Sequence, residues 1–308
     1  MSRSLPVFVS TIYLMLCNVA FCGDKAKVTI KAVEEDGKPA SGIEVDAKFL
    51  YGTAKIGATD TNGLFVLEGD AGGWDTWYSL QKGGYYRSDG KIMLQKPVDG
   101  KWQPWNPIVT VVMRRVICPI SMYAKRVNAE IPVLDQFVGY DLMRGDWVAP
   151  YGKGEASDFN CKMQKRFKDI KNFDSSLELI MTNAVDGIKE VALSAIPDSA
   201  YRLPRMAPLD GYERSFYLAA SATNRLGSRD DQSFLFQVRS VTNTEGKIVS
   251  ALYGKIRGRI GFGVSRHPTG VVLFTYYLNP TPNDRNLEFD PRMNLLHNLK
   301  STEEVTEP

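Results

Sequence analysis

From Val28 to Leu67 the chain alternates apolar and polar residues, breaks at Asp36-Gly37, resumes, and breaks again at Asn62-Gly63. A period of two sends successive side chains to opposite faces of a strand, whereas a helix would repeat its apolar positions every three or four residues. Val28 and Ile30, then Ile43, Val45 and Ala47, form inward rows, and Leu64 to Leu67 follow as a further strand. Asn62-Gly63 suits the positive φ angles of a tight hairpin. This stretch therefore predicts a small β-sandwich, and the rest of the chain continues the same grammar.

The expected fold class is all-β: an Ig-like β-sandwich over residues 23–117, then a larger antiparallel β domain over 118–290 and a C-terminal tail at 291–308. Ile108 to Val116 closes the first unit, with the boundary near Cys118-Pro119, because proline cannot continue a ladder. In the second unit Phe159, Cys161, Met163 and Phe167 share one face of a strand, although Phe159, Met163, Phe167 and Ile170 fit helical spacing almost as well. A turn at Asn172–Ser176 leads back through Leu177, Leu179 and Met181, giving a hairpin with Cys161 on its buried side. Ile248 to Val264 reads as one long, glycine-interrupted strand, and Val271 to Leu278 as a central strand covered on both faces. Residues 297–308 are polar and acidic and are expected to fray.

Residues 1–22 read as a secretory signal, with Arg3 before an apolar body and Ala20-Phe21-Cys22 as the cleavage region. The expected location is secreted or periplasmic. The alternative is lipid anchoring through Cys22, although Phe21 sits where lipoprotein signals want a small residue. No later segment has 18 consecutive apolar residues, so no membrane span is expected. The formal charge of +3 gives no strong field for nucleic acid. Past the leader only Cys118 and Cys161 remain. A disulfide between them would close a loop of about 44 residues, worth roughly 4 kcal/mol; two unpaired thiols are the equal alternative.

The order Asp36-Gly37-Lys38-Pro39-Ala40-Ser41-Gly42-Ile43-Glu44-Val45, then Thr59-Asp60-Thr61-Asn62-Gly63-Leu64-Phe65, then Gly83-Gly84-Tyr85, resembles the carboxypeptidase regulatory-like domain. The resemblance covers about residues 26–116 and implies a transthyretin-like sandwich used as a non-catalytic module. The Trp-rich segment Gly72 to Pro107 is long for that family. Farther on, KWQPWNP (101–107), SMYAKRV (121–127), GYDLMRGDWVAPYGKGEASDF (139–159) and FTYYLNPTPNDRNLEFDPRMNLL (274–296) resemble phrases of uncharacterised secreted proteins of verrucomicrobial-type environmental bacteria. That second resemblance implies no activity.

Several groups are candidates for chemistry. Trp74, Trp77, Tyr78, Trp102 and Trp105 crowd one segment. Exposed, they would stack on sugar faces; buried, they would seal a seam between sandwiches. Asp141, Asp146, Glu155 and Asp158 lie in a Gly-rich stretch that a polysaccharide hydrolase could use, although Arg144 and Lys153 favour ionised carboxylates over a split acid/base pair. Asp284, Asn286, Glu288 and Asp290 share one face if extended, which suits a solvated face better than a calcium site, because a strand spreads such residues about 7 Å apart. His267 and His297 stand thirty positions apart, so no metal centre or cofactor is expected. Lys255, Arg257, Arg259, Arg266 and His267 make a basic strip that could contact an anionic polysaccharide or a cell-surface polymer; the preferred reading is an outward face that discourages edge pairing. The leading function is an exported, non-catalytic binding or structural protein whose partner is a glycan or an envelope protein. The alternative is a hydrolase using the 141–158 carboxylates.

Overall fold

The computed structural model describes residues 23–192, 197–224 and 231–308. Residues 1–22, expected to be a leader with Cys22 as the alternative lipid anchor, lie outside the described residues. Among those residues every regular element is a strand. The first nine are β1 (Asp24–Glu34), β2 (Glu44–Phe49), β3 (Ala54–Ala58), β4 (Leu64–Ala71), β5 (Asp75–Gln81), β6 (Ser88–Met93), β7 (Gln95–Val98), β8 (Lys101–Gln103) and β9 (Ile108–Met113). They form a five-stranded sheet, β4-β1-β8-β7 with β9 also on β1, and a four-stranded sheet, β3-β2-β5-β6. Strand β1 pairs antiparallel with β4 and parallel with β8 and β9. Val28, Ile30, Ile43, Val45 and Ala47, the inward rows of the alternation, are fully buried between the sheets with Leu67 and Leu80.

The Asn62-Gly63 turn forms, but it is not a hairpin. Asp60 Oδ1 accepts the backbone N–H of Asn62 and Leu64, and Gly63 has φ +73° with its Hα side against the Ala32 carbonyl. The strands it joins, β3 and β4, belong to opposite sheets, so the turn carries the chain across the sandwich. Turn chemistry encodes a reversal and leaves the partner strand open.

The second unit contains β10 (Ile120–Glu130), β11 (Val138–Asp141), β12 (Asp146–Trp147), β13 (Phe159–Asp169), β14 (Asn172–Met181), β15 (Gly187–Ala192), β16 (Ser215–Ser221), β17 (Gln232–Thr242), β18 (Ile248–Ile256), β19 (Gly261–Gly263), β20 (Val271–Leu278) and β21 (Phe289–Asn294). Seven strands make one sheet, β15-β17-β18-β20-β10-β21 with β19 on β20; the facing sheet is β12-β11-β13-β14-β16. The sheets are antiparallel except where β21 runs parallel to β10. The core between them includes Tyr140, Phe159, Met163, Leu177, Phe234, Phe274 and Tyr276.

The β13–β14 hairpin places Cys161, Leu177, Leu179 and Met181 inward as the alternation requires, but its turn comes earlier, at Asp169–Asn172, and Asn172–Ser176 already pair within the ladder. The long glycine-rich strand is broken instead of bulged: β18 ends at Ile256, Gly258 takes φ +79°, and β19 is separate. Gly254 serves close approach, since a Cβ there would meet the Phe236 ring at 2.2 Å. The tail does not fray. Val305 is buried with Met122, Ala124, Tyr277 and Phe289, the Glu303 carbonyl accepts the Arg126 N–H, and Glu303 pairs with Lys125 at 3.0 Å.

The two sandwiches meet across a polar seam. Residues 198–200 reach the first unit, where Ser199 bridges Ser88 and Ala200 N–H donates to the Arg87 carbonyl. Arg114 Nη1 donates to the carbonyls of Tyr201 and Leu203, and Arg205 grips Glu35 through both oxygens at 2.9 and 2.8 Å. Glu288, 1% exposed, accepts the Tyr86 hydroxyl and the backbone N–H groups of Ile117 and Cys118. The buried carboxylate thereby holds the linker between the units, a charge-assisted arrangement stronger than neutral hydrogen bonds.

Candidate binding surfaces

The aromatic segment splits into core and surface. Trp102 is 9% exposed, belongs to the first core, and donates its indole N–H to the Ala71 carbonyl at 3.0 Å. Tyr78 is also buried; its hydroxyl passes over Gly90 and donates to Asp198 across the seam at 3.0 Å. Burial and the Asp198 charge push the Tyr78 phenol well above its usual range, so it remains a donor. Trp74 and Trp105 are 56% and 37% exposed, with Lys101 Nζ 5.2 Å from the Trp105 ring centre. No single platform of five rings exists.

Trp77 stands on the outward face of β5, where register sets it between Lys48 on β2 and Lys91 on β6. It borders a groove of about 380 Å³ with Asp46, Arg87 and Asp89. Arg87 Nε is fixed by Ser79 Oγ at 3.0 Å and Asp89 Oδ1 at 2.8 Å, and Lys48 Nζ lies 5.9 Å from the indole centre. An apolar ring beside oriented carboxylates and a guanidinium is the chemistry that takes a sugar ring, with C–H groups on the indole and hydroxyls on the charged groups.

The 141–158 loop is a brace. Asp141 and Asp158, 2% and 1% exposed, are drawn together around Arg239. Asp141 Oδ1 accepts from Met143, Arg144 and Arg239, and Oδ2 from Glu155 and Ala156. Asp158 accepts two bonds from Arg239 and one from Leu142 N–H. Burial opposes ionisation of Asp141, yet its backbone donors and Arg239 hold the carboxyl below its usual value; at Asp158 burial wins and the carboxyl is raised. Such a divergence resembles an acid/base pair, but these oxygens are buried and already occupied. Asp146 Oδ1 and Oδ2 hold the backbone at Trp147 and Lys153, while Glu155 pairs with Arg144 on the surface.

The row at 284–290 is not a solvated face: Glu288 and Asp290 are buried, one serving the seam and the other paired with Arg292. Asp284 holds Asn279 and Asn286 N–H. Packing of the first unit against this segment, invisible in a local alternation, draws its carboxylates inward. The Cys118–Cys161 disulfide does not form. Cys118 is exposed at the linker, while Cys161 is fully buried in the second core, where desolvation pushes its thiol up to about 12.

The basic strip also divides. Lys255 is fully buried, its Nζ 4.4 Å from the Tyr201 ring centre and 4.5 Å from that of Tyr277. Arg257 and Arg259 border an outer-face groove of about 660 Å³, and Arg266 and His267 lie exposed on the following loop. Sequence reasoning missed Arg126 and Lys300, which join that groove from β10 and the C-terminal segment.

No family model matches the sequence, and no curated protein is significantly similar to it. Among solved structures, a DUF3823 family protein from Parabacteroides merdae is similar over 87% of this chain and 100% of that chain, at TM-score 0.22 and 8% identity. The major pilin subunit of Bacillus cereus matches 80% of this chain and 95% of its own, at TM-score 0.22 and 10% identity. The 3-chlorocatechol 1,2-dioxygenase from Rhodococcus opacus matches only 30% of this chain and 60% of its own, at TM-score 0.25 and 14% identity. Likeness at this level identifies neither a family nor an activity. No helix among the described residues is long and apolar enough to cross a membrane.

Proposed function

We propose that this chain is an exported, non-catalytic glycan-binding protein whose first sandwich receives a sugar ring on Trp77. The carrying observation is the Trp77 groove, where a half-buried indole on a rigid sheet face stands beside Asp46, Asp89 and the fixed Arg87 guanidinium. Export rests on the leader-like residues 1–22, and a non-catalytic role agrees with the resemblance of residues 26–116 to the carboxypeptidase regulatory-like domain. The hydrolase alternative finds no support in the 141–158 loop, because Asp141 and Asp158 are enclosed and spoken for by Arg239 and backbone donors.

Titration against a panel of neutral and charged oligosaccharides, followed by indole fluorescence, tests this reading. Trp77→Ala should weaken the best ligand at least about tenfold, the effect of losing a central aromatic contact. Trp74→Ala and Trp105→Ala should leave binding within about twofold. An unchanged affinity in Trp77→Ala, or no oligosaccharide bound by the wild type, removes the proposal.

A further inference from the structure

The outer face of the seven-stranded sheet is covered at one end and open at the other. Tyr277, at the covered end of β20, is fully buried beneath the seam and the C-terminal segment, whereas Leu273, farther back on the same face, is 37% exposed. Over this open end lies the groove of about 660 Å³, bordered by Arg126, Arg257, Arg259 and Lys300 together with Glu303. Register explains how the cations converge. Arg126 on β10 pairs with Thr275 on β20, and Arg257 N–H donates to the Thr275 carbonyl from the other side. Arg126, Thr275 and Arg257 thus form a row across three adjacent chains, with the two arginine backbones about 10 Å apart. A chain of regularly spaced anionic groups can follow that row.

One carboxylate of the chain itself already stands at this groove. The C-terminal segment is docked along its rim by buried Val305, the Glu303 carbonyl on Arg126 N–H, and the Tyr277 hydroxyl on the Glu307 carbonyl. Docked so, it pairs the Glu307 carboxylate with Arg257. That carboxylate is about half exposed, and exposed ion pairs are weak and readily exchanged. Leu273 offers an apolar patch between the cations, and Asn128, Thr275 and Thr302 supply hydrogen-bonding groups. A peptide that adds a strand would need an open edge, and β20 has none here, being flanked by β10 on one side and by β18 and β19 on the other.

We infer that this groove is a second binding site, for an acidic polysaccharide bearing carboxylates, and that Glu307 occupies its Arg257 position when the ligand is absent. The site lies on the second sandwich and goes beyond the Trp77 reading. Charge attracts the polymer, Arg126 and Arg257 each take a carboxylate, and the floor residues meet the sugar between them. Displacement of Glu307 leaves Val305 and the backbone contacts of the tail in place.

Calorimetric titration of the full chain with polygalacturonate oligosaccharides at low salt tests the inference, with the methyl-esterified form and poly-glutamate as comparison ligands. Polygalacturonate should bind, weaken as salt rises, and exceed both comparison ligands at least about tenfold. The double variant Arg126→Ala/Lys300→Ala changes two exposed side chains and should lose about tenfold or more. Glu307→Gln should tighten binding about two- to fivefold by removing the competing carboxylate. Trp77→Ala should leave this affinity unchanged, so the two sites fail or survive separately. Equal binding of poly-glutamate or of the esterified polymer overturns the assignment, as does an unaltered affinity in the double variant. Unaltered affinity in Glu307→Gln overturns the role given to the tail.

Discussion

Lys255→Met provides the sharpest test of how the seam between the sandwiches is built. The Lys255 ammonium position is fully buried, with no hydrogen-bond acceptor on its Nζ, between the rings of Tyr201 and Tyr277. Burial pushes its pKa well below the ordinary lysine value; Arg257 and Arg114 push the same way, and Glu288 opposes them. The unfolded chain keeps the proton up to about pH 10.4, the usual lysine value. Between the depressed folded value and that limit the unfolded state binds more protons, so stability contributed by this site rises with pH. Where only the unfolded state holds the proton the slope is about 1.4 kcal/mol per pH unit, so between pH 7.5 and 9.5 the site should add at most about 3 kcal/mol. Methionine has similar bulk and no proton to bind, so the difference between wild type and variant isolates this residue from every other titration. Urea unfolding followed across that range should show Lys255→Met gaining on the wild type as pH falls and converging with it near pH 10. Parallel stability curves would refute the reasoning. They would mean that two aromatic faces, each worth about 2 kcal/mol to a desolvated cation, keep Lys255 charged at its ordinary value.

Two further outcomes test the seam and the thiols. Glu288→Ala strips the partner from the Tyr86 hydroxyl and from two linker N–H groups. It should cost about 3 kcal/mol in chemical unfolding and open the chain to proteolysis near Cys118, and a loss below about 1 kcal/mol would contradict this role. In the native protein a thiol reagent followed by peptide mapping should modify exposed Cys118 and spare Cys161; equal labelling would show that the second core is not closed over Cys161.

The sequence carried the strands well because each inward row is a local property. Val28 and Ile30, or Leu177 and Leu179, announce their buried face through their immediate neighbours, and the structure buries all four. What local pattern could not carry is the partner. The Asp60–Gly63 turn has the residues of a hairpin yet joins two sheets, since its hydrogen bonds fix only the reversal. Val305 is an isolated apolar residue among Thr302, Glu303, Glu304, Thr306 and Glu307, and only the distant shelf of Met122, Ala124 and Phe289 makes it an anchor.

The candidate sites follow the same division. Trp77 and Trp102 are alike in sequence, but the alternation of β5 turns Trp77 outward, whereas Trp102 sits on a three-residue strand whose short pattern gives no direction. Lys255 and Arg257 are two positions apart on one face, and the strand period assigns them one environment. The first sandwich and the 198–207 segment cover Lys255 and stop short of Arg257, so one becomes a buried strain on the seam and the other a wall of an open groove. Where the covering ends, rather than what the strand contains, decides which cation meets solvent. That boundary is set by Arg114, Tyr201 and Glu288, which hold the two sandwiches in register. The groove on the second unit therefore owes its open end to contacts made by the first, and loosening the seam should alter the groove's affinity before it unfolds either core.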